Sequence, residues 1–161
     1  MRRNHSKKKD GFTITELMTS VAIIGMLSGV AMPSYFKQAQ KARQSDVSNQ
    51  INQMLTTIQA YREEFLDMPR GWNQLARINP VNTNNGPARG GGFSAIRSAN
   101  GGHYAISIQP GSRYSPTKVT ASPIDRKQQG WAIRACINTE TGITGVEKQS
   151  PGASFRNPIC S

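Results

Sequence analysis

One stretch limits what this chain can become: Phe12 to Met32, FTITELMTSVAIIGMLSGVAM, is apolar within a sequence whose mean hydropathy is −0.52. As a helix of about 21 residues rising about 1.5 Å each, it would span about 30 Å, the thickness of a bilayer's hydrocarbon core. A basic run precedes it: Arg2, Arg3, Lys7, Lys8 and Lys9 are opposed only by Asp10. Such a run stays cytoplasmic and sends the chain beyond the span to the far side of the membrane. A secretory signal peptide has the same order of basic and apolar parts. Here the apolar part is interrupted by Thr13, Thr15, Glu16, Thr19 and Ser20. The small-residue cleavage site is weak as well, because Ala31-Met32-Pro33 leads straight into more helix-like sequence.

Glu16 is the informative residue. A lone carboxylate in a spanning helix costs about 2–3 kcal/mol on insertion scales, and neither Lys nor Arg lies between Phe12 and Met32. A cut between Gly11 and Phe12 would create an α-amino group about one turn away. The same group on a neighbouring copy would be better placed, since a helix's own N-terminus points away along its axis. Alternatively Glu16 sits among the headgroups and is solvated. Further along, Gly25 and Gly29 are four apart and allow another helix to approach closely. Pro33 removes a donor and crowds the turn before it, which predicts a kink.

Lys7-Lys8-Lys9-Asp10-Gly11 followed by Phe12-Thr13-Ile14-Thr15-Glu16-Leu17 resembles the processing signature of the type IV pilin and pseudopilin family. That signature is a basic leader ending in Gly, then Phe, then Glu four residues on, opening an apolar helix. The resemblance implies cleavage after Gly11 by a prepilin peptidase and N-methylation of Phe12. It also implies a meeting of Glu16 with the Phe12 amine of the adjacent subunit during assembly. Gly25 and Pro33 fall where such subunits carry helix breakers, and the stretch between them would extend or unwind when subunits leave the bilayer. The implied partners are other copies and related pilins, the peptidase, the inner-membrane assembly machinery, and lipid before assembly. The implied location is the inner membrane, with the N-terminus cytoplasmic and the body exported, and then a surface pilus or a periplasmic pseudopilus. The expected function is a structural subunit of a type IV pilus-like filament, with a type II secretion pseudopilin or a minor or competence pilin as the alternative. A membrane-tethered binding protein that never assembles is the alternative of a different class.

The chain's 161 residues allow one modest domain beside the anchor. The expected division is a leader at 1–11, a membrane and assembly helix at 12–34, an amphipathic helical half at 35–68, a Gly/Asn-rich loop at 69–102 and a small sheet region at 103–161. In the helical half, Val47, Ile51, Met54, Leu55, Ile58, Tyr61 and Phe65 recur at three- and four-residue spacing, one apolar stripe for a domain to cover. Pro69 and Gly71 end the helix. Asn84-Asn85-Gly86-Pro87 and Gly90-Gly91-Gly92 mark a flexible connection, with a brief turn of structure at Trp72–Ile78. The glycines match neither a Walker A loop nor a Rossmann spacing.

Strand signals appear at His103–Ile108, at Lys118–Ala121 and at Trp131–Ile137, where Trp131, Ile133 and Ala135 align. Asn138 to Gly142 reads as a turn into Ile143–Val146. A long helix with its second half laid on a small antiparallel sheet is an α+β, pilin-like arrangement.

Cys136 and Cys160 are an even pair in a chain that reads as exported, which suggests one disulfide. Two buried thiols are the alternative. A bond would close a loop of about 25 residues and contribute roughly 3–4 kcal/mol. The pair also resembles the disulfide-bounded C-terminal loop of many type IV pilins.

The residues assemble no catalytic constellation, and neither a cofactor nor a metal is expected. His5 lies in the leader and His103 in a strand signal. Asp125, Glu140 and Glu147 are too dispersed for the calcium site that some pseudopilins carry. Net charge is +11, and removing the leader's five cations and one anion leaves +7. That balance favours anionic partners. Arg89, Arg97, Arg113, Lys118, Arg126, Lys127 and Arg134, with Tyr104, Tyr114 and Trp131, either touch DNA phosphates and bases or form a solvated basic surface.

Overall fold

A computed structural model describes residues 11–112 and 115–160. The leader before Gly11, His5, Arg113 and Tyr114 lie outside the described residues. The chain divides between Ala39 and Gln40 into two compact units, and one helix, α1 (Ile14–Phe65), runs through both.

In the first unit α1 is bare. Phe12, Ile14, Leu17, Met18, Val21, Ile23, Ile24, Met26 and Leu27 are all exposed. Among the described residues no single helix is long and apolar enough to cross a membrane. The segments Ile14–Gly29 and Met32–Phe65 meet that test together, across a bend between them. The bend falls just before Pro33, whose ring crowds the preceding turn.

The second unit is α+β. The helical stripe from Val47 to Tyr61 is buried, while Phe65, at its end, is 40% exposed and packs on Tyr61 with ring centroids 4.5 Å apart. Leu66 closes the helix with φ at +51°, a conformation glycine takes far more readily, and its amide donates to the Arg62 carbonyl.

The stretch read as a flexible connection is packed. It holds a short helix α2 (Trp72–Leu75), a two-strand ribbon β1 (Asn82–Thr83) and β2 (Gly86–Pro87), and the edge strand β3 (Ile96–Arg97). Trp72 and Leu75 belong to the core. The Trp72 indole donates to the Ser94 carbonyl at 2.9 Å, and its ring stands edge-on to Phe93. Gly71 is required here, because a Cβ would lie 2.3 Å from the Gly91 carbonyl oxygen.

The remaining strands are β4 (Tyr104–Gln109), β5 (Thr117–Pro123), β6 (Ile133–Ile137) and β7 (Thr144–Lys148). With β3 they form one antiparallel sheet in the order β3-β4-β5-β6-β7. Alternation fixes the buried face: Tyr104, Ile106 and Ile108 on β4, Val119 and Ala121 on β5, and Ile133, Ala135 and Ile137 on β6 meet the helical stripe in one core. Trp131 is not in the strand with Ile133. It ends a 3₁₀ turn, Arg126–Trp131, that Asp125 caps by accepting from the Lys127 amide. The turn into β7 is held by Asn138, whose side-chain oxygen accepts from the amides of Glu140 and Thr141.

Cys136 is bonded to Cys160. Cys136 projects from the face of β6 opposite to Ala135 and Ile137, and the C-terminal tail lies over that face. Arg134 stacks on Phe155 at 4.0 Å and donates to Asn157 at 2.8 Å. Opposite Cys136 in the register stands Gly145, where a Cβ would come within 2.8 Å of the Ile159 carbonyl oxygen.

Candidate assembly site

The helix begins at Ile14, so Gly11, Phe12 and Thr13 precede its first turn in non-helical, exposed chain. Phe12 is 88% exposed. A peptide bond between Gly11 and Phe12 is therefore reachable, because no intrahelical hydrogen bond has to open before a protease engages it.

Glu16 has an uncharged partner that counting charges does not reveal. One of its carboxylate oxygens, Oε2, accepts from the Thr13 amide at 2.9 Å and from the Thr13 hydroxyl at 2.8 Å. The Thr13 hydroxyl oxygen in turn accepts from the Glu16 amide at 3.3 Å. This is a reciprocal capping box: Thr13 is the N-cap, Glu16 is the third helical residue, and each satisfies a donor the helix would otherwise leave open. Thr-x-x-Glu ahead of an apolar run carries that signal in the sequence, where Lys and Arg alone do not supply a partner. Both bonds from Thr13 go to the same oxygen, so the carboxylate's second oxygen faces outward as an acceptor for an ammonium group.

Hydroxyls in the apolar segment bond back into the helix. Thr19 donates to the Thr15 carbonyl at 2.7 Å, Ser20 to that of Glu16 at 2.8 Å and Ser28 to that of Ile24 at 2.7 Å. These residues interrupt the apolar run in sequence, yet they present little unsatisfied polarity to an apolar surrounding. Gly25 and Gly29 have open space where a Cβ would sit. Their side of the helix is a shallow notch that a second helix can enter.

Other chemistry is sparse. Among the described residues, no group of three or more His, Cys, Asp or Glu is arranged to hold a metal. The expected nucleic-acid surface loses two members. Tyr104 is wholly buried, with its hydroxyl donating to the Trp131 carbonyl at 3.1 Å, so its ring is not open to a base. Arg134 is engaged by Phe155 and Asn157. Arg89, Arg97, Lys118, Arg126 and Lys127 are exposed; Arg126 and Lys127 share the 3₁₀ turn, while Arg97 lies on β3, Lys118 on β5 and Arg89 in the chain between β2 and β3.

A family model described as the prokaryotic N-terminal methylation motif matches residues 6–32. The chain is 38% identical over 84 residues to the type IV major fimbrial protein FimA of Dichelobacter nodosus, covering 48% of this chain and 54% of that protein. It is 35% identical over 54 residues to the type IV major pilin protein PilA of Myxococcus xanthus (strain DK1622), covering 34% of this chain and 24% of that one. The matched regions thus span about half or less of these relatives. No solved structure shows significant similarity to the chain. These matches bear out the resemblance to the type IV pilin family that Lys7 to Leu17 carry.

Proposed function

We propose that this chain is the precursor of a structural subunit of a type IV pilus-like filament. In this reading a prepilin peptidase cuts after Gly11, the new amine of Phe12 is methylated, and subunits polymerise through the helix beyond it. The observation that carries the proposal is the bare apolar helix with a capped carboxylate at its start. A helix exposing this many large apolar side chains needs lipid or sister helices around it.

Assembly follows from that chemistry. In the bilayer, Thr13 occupies part of the Glu16 carboxylate and lowers the cost of keeping it there. When a subunit docks, the Phe12 ammonium of its neighbour takes the outward oxygen, and a charge-assisted bond in an apolar setting fixes the register. The notch at Gly25 and Gly29 sets how closely the helices pack.

Mass spectrometry of the mature N-terminus from sheared surface material tests this directly. The expected product begins at Phe12 and carries one added methyl group. A chain that still begins at Met1, or that begins beyond Pro33, overturns the proposal. Glu16→Val separates assembly from simple tethering: membrane insertion stays normal and filaments disappear, whereas unchanged filaments would contradict the role given to Glu16.

A further inference from the structure

Three elements converge at the end of the second unit where its part of α1 begins. Gln44 bonds to the carbonyls of Trp131 and Gln149, which brings the 3₁₀ turn Arg126–Trp131 and the end of β7 against this part of the helix. Lys148 pairs with Ile133 in the register, at the same end of the sheet. Lys41 and Arg43 stand on the helix within one turn of Gln44. Lys41, Arg126, Lys127 and Lys148 are exposed and Arg43 is half-buried, so five cations gather at one end.

The acidic residues are distributed differently. Glu63, Glu64, Asp67 and Glu140 lie at the opposite end, where the Thr139 hydroxyl touches the Met68 sulfur and joins the turn before β7 to the end of the helix. Three acids lie near the basic end: Asp125 caps the 3₁₀ turn through the Lys127 amide and the Gln128 side chain, Asp46 accepts from the Asn100 side chain, and Glu147 precedes Lys148 in β7, opposite Arg134; the five cations still outnumber them. Beside Arg126 and Lys127 stand two residues suited to an interface. Ile124 is 41% exposed, and Trp131 is partly exposed. An exposed aliphatic, an indole and adjacent cations together favour the boundary between headgroups and water.

We infer that this basic end, centred on Arg126, Lys127 and Lys148, rests on anionic phospholipid headgroups while the apolar helix is in the bilayer. The inference rests on the insertion of that helix, as in the proposed function. The second unit begins at Gln40, about one helical turn before Gln44 and so at this same end. Each cation near an anionic leaflet strengthens association about fivefold, and salt removes the effect over roughly a Debye length. The contact would hold the body against the leaflet until the subunit is extracted.

The test uses the full chain in phosphatidylcholine vesicles, with and without phosphatidylglycerol. Amide exchange is followed across residues 124–131, and insertion is scored separately by resistance to alkaline extraction. The expected result is several-fold slower exchange in the anionic vesicles at low salt. That protection disappears at high salt and in the triple variant R126E/K127E/K148E, whose insertion and disulfide are unchanged. Equal exchange in both vesicle types with insertion intact overturns the inference. Failure to insert overturns the proposed function instead. Protection by added duplex DNA that exceeds protection by anionic lipid would assign the surface to nucleic acid and also overturn it.

Discussion

The side-chain amide of Gln44 donates to the carbonyl oxygen of Trp131 at 3.1 Å, joining α1 to the 3₁₀ turn that precedes β6 across 87 positions of sequence. It also reaches the Gln149 carbonyl at 2.8 Å, and Tyr104 donates to the same Trp131 oxygen. Gln44 is almost fully buried, so its removal takes the donor from the Gln149 carbonyl and leaves the Trp131 carbonyl to Tyr104 alone. Gln44→Ala should cost about 1–3 kcal/mol, measured as a drop in the thermal midpoint of the full chain in detergent. Gln44→Glu should cost more, because it turns a carboxylate onto two carbonyls.

Thr13 should matter for the first helical turn independently of charge. Thr13→Ala removes the two bonds that the hydroxyl makes, to the Glu16 carboxylate and from the Glu16 amide, and leaves the bond from the backbone amide; an N-cap loss of about 0.5–2 kcal/mol corresponds to roughly 2- to 30-fold faster amide exchange in that turn. Thr13→Ser should restore protection. Exchange measured by NMR in detergent micelles checks both variants.

Gly145 and the disulfide hold the tail together. Gly145→Ala puts a Cβ against the Ile159 carbonyl and near the Cys160 sulfur, and should cost about 1–3 kcal/mol by overpacking. Reduction of the Cys136–Cys160 bond should cost about 3–4 kcal/mol in the chain-entropy account. Thermal unfolding with and without reductant reads both effects. After reduction, the Gly145→Ala penalty should shrink, because the freed tail can move aside.

Leu66 offers a stabilising change. It sits at positive φ with 79% of its surface exposed, so Leu66→Gly relieves backbone strain and gives up little burial. The expected gain is about 0.5–1 kcal/mol, seen as a higher thermal midpoint.

Tyr104 predicts alkaline weakness. Burial pushes its hydroxyl up from 10.0 to about 12, against a smaller opposing pull from Arg43. The folded state therefore keeps a proton that the unfolded state releases from about pH 10 upward. Its contribution is fully present below that pH and is lost as the pH rises toward 12. Midpoints recorded from pH 9 to 11.5 should fall more steeply for the parent chain than for Tyr104→Phe.

Periodicity makes the core legible. Tyr104, Ile106 and Ile108 alternate, and Val47 to Tyr61 recur at helical spacing, so burial can be read directly from pattern. Trp72, Leu75 and Val81 have no period. They are single apolar anchors among Gly and Asn, and only the folded chain shows that Gly71 against Gly91 and the Trp72 indole on Ser94 turn this connection into packed structure. Trp131 is aligned with Ile133 in sequence, but the cap from Asp125 winds it into a 3₁₀ turn. At the start of the helix the Thr13–Glu16 spacing is readable. It is easily passed over, because a carboxylate in an apolar run suggests a charged partner, whereas two uncharged donors are enough.

Thr19, Ser20 and Ser28 return their hydroxyls to the helix backbone. A rod that satisfies its own polar atoms is nearly indifferent to whether hydrocarbon tails or sister rods surround it. Moving such a rod from one oily medium to another would break none of these bonds.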